Sequence, residues 1–222
     1  MNTSVTNTAR LLGAGLRALL VLTVVTGIVY PLVITGIAQG LFPGKANGSE
    51  IKADGRVVGS SLIGQSYNLP LKKGQETPEP DLKWFQGRPQ NGLGTNSVNT
   101  QYELILSGAT NRSADNAELV QWVKDAKAAV VKDNSVAGYT VDPSDVPADA
   151  VTSSGSGLDP AISPQYADLQ VHRVAERNGL PVARVQRLVD EHTESRTLGF
   201  IGEPRVNVLP LNIALRELVA ER

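Results

Sequence analysis

The chain has 222 residues, 21 basic and 22 acidic side chains, a net charge of −1 and no cysteine. That balance argues against a protein that binds nucleic acid by bulk charge, and the missing thiols exclude disulfides and thiolate metal sites. Outside one apolar stretch there is room for a single domain of ordinary size, held together by its core alone.

Residues 1–9 are polar and read as an unstructured tail. Residues 18–44, ALLVLTVVTGIVYPLVITGIAQGLFPG, carry no charged side chain. As a helix this run spans roughly 40 Å, more than the roughly 30 Å hydrocarbon core of a bilayer. It predicts one transmembrane anchor over 11–42, with a tail at 1–10 and a soluble domain at 43–222. Arg10 and Arg17 precede the run, and no Asp or Glu comes before Glu50. Positive charge before a first span keeps that end in the cytoplasm, so the domain is expected outside. Gly36-Ile37-Ala38 resembles a signal-peptidase site, but signal cores run only about 7 to 15 residues, which favours an uncleaved anchor. Pro31, after Tyr30, removes a backbone hydrogen bond and predicts a kink. Gly13, Gly15, Gly27 and Gly36 offer small faces, and the Gln39 amide suits a helix interface. Gly27, Tyr30, Pro31 and Gln39 are therefore candidates for packing against membrane partners.

In the domain, Arg56–Ile63 is β-branched and bounded by glycine, and reads as a short strand pair. Residues 69–83 hold Pro70, Pro78 and Pro80 and read as a loop; Trp84–Pro89 is an aromatic stretch running into a turn. Residues 90–112 are rich in Asn, Gly, Ser and Thr and read as a long loop. Leu119, Trp122, Val123, Ala126 and Val130 recur at helical spacing and predict a helix over 115–133, with Trp122 in the core. Residues 142–149 and the Gly-Ser stretch 151–159 read as loop and turn. The latter lacks the Gly-Lys-Ser/Thr ending of a phosphate-binding loop. Ser163-Pro164 starts a helix that stops at Gly179. A second helix runs from Pro181 to about His192. A loop at 200–204, a short strand at 206–208 and a helix at 209–219 close the chain. Strands and helices mix without regular alternation, so the fold class is α+β.

Residues 169–189 have the look of a helix-turn-helix, with Arg177, Arg184 and Arg187 available for phosphates. Glu176, Asp190, Glu191 and Glu194 surround the element, and an αα-hairpin that serves packing is the simpler reading. His172 and His192 have no acidic partners at ligand spacing and read as surface residues, not metal ligands. No catalytic set is visible. A membrane-anchored Ser-Lys hydrolase is the enzyme alternative, but Lys72, Lys73, Lys124 and Lys127 lie in polar surroundings unsuited to an activating lysine.

Several blocks occur in a fixed order: Thr26–Leu32, Ala38-Gln39, Phe42-Pro43, Ala46–Ser49, Gly59–Gln65, Phe85–Pro89, Ser107–Asn111, Val151–Asp159 and Gly202–Asn212. In that order they resemble the C subunit family of the Kdp potassium-transporting ATPases, from the anchor to the C-terminus. The chain departs from the family pattern in a longer 68–83 stretch, in Gly108-Ala109-Thr110-Asn111 for Gly-Gly-Ser-Asn, and in Tyr67 where Phe is common.

The resemblance implies an accessory subunit with no catalysis of its own in a high-affinity, ATP-driven potassium uptake complex. The implied partners are a P-type ATPase subunit, a channel-like potassium-translocating subunit and a small single-span subunit. ATP and potassium are then handled mainly by those partners, and no cofactor is bound tightly. The family is also credited with a chaperone role that raises the ATPase subunit's affinity for ATP, with the glutamine matching Gln65 as the candidate contact. A domain outside the membrane cannot place Gln65 on cytoplasmic ATP. The topology instead favours a role in assembly or stability, or in shaping ion access, with Arg88, Asn111 and Asp159 as loop residues that hold shape or meet a partner.

Overall fold

The computed structural model describes residues 3–75, 77–90, 94–95 and 105–221. It divides into two compact units, 1–50 and 51–222.

The first unit is helical. Helix α1 spans Thr3–Val24 and α2 spans Tyr30–Leu41, joined without a break through a π turn at Val25–Val29. The expectation of an unstructured 1–9 is corrected for residues 3–9, residues 1–2 lying outside the described set: no Pro or Gly interrupts the chain before Gly13, so the helix runs through the polar start from Thr3. The stretch Ser4–Leu41 is long and apolar enough to cross a membrane, and its apolar window is exposed among the described residues. The kink expected at Pro31 takes the form of the π turn. The Tyr30 N–H donates to Val25 O, one residue further back than in an α-helix. That wider turn makes room where the proline ring would press on the carbonyl four residues earlier. The helix ends at Phe42, and the short helix α3, Pro43–Ala46, follows.

The second unit opens with a hairpin of β1, Glu50–Ala53, and β2, Arg56–Ser60. Asp54 and Gly55 turn it, with φ of +51° and +74°, both in the left-handed region. An Asp-Gly pair is the usual residue choice for such a turn. The pair expected within 56–63 is therefore shifted: its first strand lies before Asp54. Residues 69–83 form a loop stapled at its base, where Leu69 N–H donates to Glu79 O (2.8 Å) and Asp81 N–H to Tyr67 O (2.9 Å). Within the expected 90–112 loop, β3 (Gly94–Thr95) pairs antiparallel with β4 (Ile105–Leu106); residues 91–93 and 96–104 lie outside the described set.

Helix α4, Ala117–Asn134, is capped by Asn116, whose side chain accepts from Leu119 N–H. Trp122 is only half-buried, with the Arg112 guanidinium 4.7 Å from its ring centre, so it serves as a stacking surface and not as core. Short 3₁₀ turns follow at Pro143–Asp145 and Ala148–Ala150, in the stretch expected to be plain loop. Strand β5 (Ala161–Ile162) leads to α5 (Pro164–Asn178), then α6 (Val182–Glu191), β6 (Thr193–Glu194), β7 (Arg205–Asn207) and α7 (Val208–Ala220). The three strands form one antiparallel sheet in the order β5-β7-β6, with Ile162 opposite Val206 and Thr193 opposite Val206.

Helix α5 is the spine of the domain and packs against α4, α6 and β7. It starts as read: Ser163 Oγ accepts from Tyr166 N–H, and Gly179 ends it at φ +60°. Val174, Ala175, Leu180, Val185 and Leu188 are all buried between α5 and α6. The helix-turn-helix look is thus an αα-hairpin that forms core. Arg184 reaches Glu221 at 3.8 Å, while Arg177 and Arg187 are exposed. The histidines are not surface residues as expected. His172 stacks on Tyr139 at 3.9 Å, and His192 Nδ1 lies 2.8 Å from Leu188 O; both are half-buried.

Candidate functional site

The site is built around one segment, Leu82–Pro89, which turns at 82–84 and is held by side chains from two helices, α5 and α7. Phe85 is fully buried. Its N–H donates to Asn212 Oδ1 and its carbonyl accepts from Asn212 Nδ2, both at 2.9 Å. The next residue is treated the same way. Gln86 N–H donates to Gln170 Oε1 (2.7 Å) and its carbonyl accepts from Gln170 Nε2 (3.1 Å). Two side-chain amides, from α7 and α5, thus do for two successive peptide units what a neighbouring strand would do.

Arg173 of α5 lies beneath this segment and is buried. Its Nη1 donates to the carbonyls of Leu82 and Trp84, the latter at 2.9 Å. Nη2 donates to Gln170 Oε1 (2.6 Å) and Nε to Asn134 Oδ1 (2.8 Å). Its named hydrogen-bond partners are neutral. Burial pushes its pKa down to about 10, which leaves the guanidinium charged at neutral pH.

Arg88 leaves the segment in the other direction. It donates to Asp159 (3.3 Å), to Thr152 O (3.4 Å) and to Ser153 O (3.3 Å). Asp159 in turn accepts from Ala161 N–H at 3.0 Å. The Gly-Arg-Pro stretch, which is not the turn expected there because the chain turns earlier at 82–84, is thereby fastened to the 151–159 block. Gly64 packs on that block: its N–H donates to Leu158 O at 2.8 Å, and a side chain there would bring Cβ within 2.6 Å of Asp159 O. Gly64→Ala is expected to lower stability by about 1 to 3 kcal/mol, because the obstacle is backbone and cannot swing away. A melting temperature equal to wild type would show that the contact is not needed.

The Gln65 side chain turns back onto β2, where Nε2 donates to Val58 O at 2.8 Å. Gly59 makes this possible, since a Cβ there would lie 2.1 Å from Gln65 Nε2. Asn207 joins the same region, donating to Ser61 O (2.8 Å) while capping α7. Sequence-distant blocks therefore meet: Gln65, Arg88 and Asp159 share one neighbourhood. Asn111 sits at an exposed loop position with φ +50°, a conformation asparagine tolerates. Gln39 pairs with Asn47 through two reciprocal amide bonds of 3.1 Å, and Tyr30 is exposed along the anchor beside Pro31 and Gly27. Lys72 is held by Glu79 at 3.1 Å, and Lys73 and Lys124 are exposed, so these three lysines lack the burial an activating lysine needs. The buried Gln170, Arg173 and Asn212 carry the segment, Asn134 holds Arg173, and all four were invisible to pattern reading.

Arg88 lines two open cavities. One, of about 460 Å³, also has Gln65, Asp133, Tyr166 and Arg173 in its wall. The other, of about 820 Å³, sets Arg88 and Arg205 against Asp149, Asp159, Glu194 and Glu203. Both of its arginines are paired, Arg88 with Asp159 and Arg205 with Glu194. Two neutralised cations among four carboxylates do not suit a polyphosphate. In the first cavity, burial pushes Asp133 up and the Tyr166 phenol up to about 12. The folded domain holds the Tyr166 proton more tightly than the unfolded chain, whose phenol titrates near 10. The stability this gives is full below pH 10 and is lost as pH rises to 12, about 2 to 3 kcal/mol in all. Melting temperatures measured from pH 9 to 12 should fall less steeply in Tyr166→Phe; identical slopes would remove Tyr166 from the account.

A sequence model described as KdpC, K+-transporting ATPase, c chain, matches residues 12–217. The potassium-transporting ATPase KdpC subunit of Streptomyces coelicolor is 84% identical over 220 residues, covering 99% of this chain and 98% of that one. That of Gemmatimonas aurantiaca is 46% identical over 209 residues, covering 92% and 94%. That of Mycobacterium tuberculosis is 42% identical over 203 residues, covering 91% and 96%. With its anchor, its α+β domain and its motif blocks all inside the matched span, the chain belongs to the KdpC family, the c chain of K+-transporting ATPases.

Proposed function

We propose that this chain is the single-span accessory subunit, without catalysis of its own, of an ATP-driven potassium uptake complex, and that its domain serves assembly or stability. Residues 1–10 lie in the cytoplasm, 11–42 cross the membrane and 43–222 form the domain outside it. Its partners are a P-type ATPase subunit, a channel-like potassium-translocating subunit and a small single-span subunit, which handle ATP and potassium. One observation carries the structural reading of the domain: Arg88, Gln65, Gln170 and Asn212 each hydrogen-bond this chain's own backbone. Such side chains fix loop shape and so present a defined surface. Any chaperone effect on the ATP affinity of the ATPase subunit is then transmitted through membrane helices, with no contact between Gln65 and nucleotide.

The test is affinity purification of the chain from mildly solubilised membranes of potassium-starved cells. A P-type ATPase and a channel-like subunit should co-purify in comparable amounts. A chain recovered alone, with those partners expressed, sinks the proposal. Orientation has its own test, since the chain has no cysteine. A membrane-impermeant maleimide should label Lys73→Cys in intact cells; labelling only after permeabilisation would reverse the topology.

A further inference from the structure

The membrane-spanning helix leaves one backbone acceptor without a donor. In an α-helix the Thr26 carbonyl accepts from the N–H of residue 30, and in a π turn from that of residue 31. Here Tyr30 N–H donates to Val25 O, and residue 31 is proline, which has no N–H. The helix backbone therefore offers Thr26 O no partner.

Among the described residues, no side chain supplies one. The Thr26 hydroxyl donates backwards to Leu22 O at 2.7 Å. The hydroxyls of Thr23 and Thr35 face carbonyls three or four residues before them, the reach of a helical threonine. Tyr30 is exposed along the span, and its ring carries the hydroxyl away from its own backbone. Depth makes the unpaired group costly. Thr26 lies nine residues after Arg17, the last charge before the span. That is roughly 14 Å along the helix, near the middle of a roughly 30 Å hydrocarbon core whose inner edge lies at Arg17. Lipid tails carry no donor and water is scarce at that depth, so the group that covers Thr26 O must bring an N–H or an O–H.

The flank of this carbonyl is open. Its peptide unit ends in Gly27 N, and a Cβ built on Gly27 meets nothing within 4 Å. A neighbouring helix can come close to the backbone there. Pro31 thus makes a recognition group out of the main chain: it removes one donor, and the π turn takes the other to Val25.

We propose that the Thr26 carbonyl is the hydrogen-bond acceptor for a transmembrane helix of the same transport complex, one that crosses beside Gly27 and carries a side-chain O–H or N–H at that depth. This rests on the accessory-subunit reading above.

The test uses the full chain in its native membranes. Pro31→Ala returns an N–H to position 31, so the helix can satisfy its own carbonyls. The variant's own membrane level should hold, while recovery of the partner subunits falls about tenfold, the range of one interhelical hydrogen bond. A photo-crosslinking amino acid in place of Tyr30, one turn beyond Thr26, should form an adduct with a partner-subunit helix. A residue with a side-chain O–H or N–H should lie within one turn of the attachment point. In place of Ile28, on the opposite face, the same group should not reach that helix. No adduct from position 30, an adduct only to lipid or to a second copy, or one to a stretch without such a donor overturns the proposal. Undiminished recovery of Pro31→Ala does the same, and in each case the accessory role stands. If no partner co-purifies with the wild-type chain, both fall together.

Discussion

Arg173→Met is expected to lower the stability of the domain by about 4 kcal/mol or more, the largest effect of any single change considered. Met keeps most of the stem, so the lost packing is small. What goes is the donor fork. The carbonyls of Leu82 and Trp84 and the side-chain oxygens of Gln170 and Asn134 all lose a donor from Arg173. Gln170 and Asn134 are themselves buried, and no water can replace the missing donors cheaply. Arg173→Lys should recover only part of the loss, because an ammonium has three donors and no planar fork. The full chain in detergent, followed by near-ultraviolet circular dichroism, should melt roughly 8 to 16 °C lower for the Met variant. A shift below about 3 °C would mean that the carbonyls find other donors and that Arg173 is not what holds the segment.

Asn212→Ala should cost about 2 to 3 kcal/mol, because it strands both the N–H and the carbonyl of buried Phe85. The effect is local and has a local readout. The Phe85 amide proton should exchange with solvent markedly faster in the variant, ahead of global unfolding. Retained protection at Phe85 would falsify the assignment of its partner. Gln170 holds the adjacent residue, so Gln170→Ala and Asn212→Ala act on one segment and should not add independently. The functional consequence follows from chain order. Arg88 lies three residues beyond Phe85, and its reach to Asp159 depends on where the segment places it. A loosened segment therefore unfastens the 151–159 block, and recovery of the complex should fall with it.

Some of this architecture is legible in the sequence because its signals are local. A charge-free run announces the anchor whatever surrounds it. Ser163-Pro164 and Gly179 bracket α5 because caps act within one turn. The pairing of α5 with α6 follows from apolar spacing, and the order of motif blocks points to the family. The Asp54-Gly55 hairpin was also there to be read, as a turn whose residue types state its geometry. Strands β5 and β6, each two residues long, were not, since two residues carry no period and exist only because β7 lies between them.

The site itself was only half legible. Gln65, Arg88 and Asp159 stood out within their blocks, but nothing local says that they meet. Asn134, Gln170, Arg173 and Asn212 look like ordinary polar positions on amphipathic helices. Only the fold turns them inward, where Gln170, Arg173 and Asn212 satisfy the backbone of a segment up to 127 residues away in sequence and Asn134 braces Arg173. The sequence alone determined the anchor, the helices and the family, because each rests on neighbouring residues or on the order of motifs. The tertiary structure decided which polar groups are buried and what they hold, because burial is a property of the packed chain and not of its local pattern.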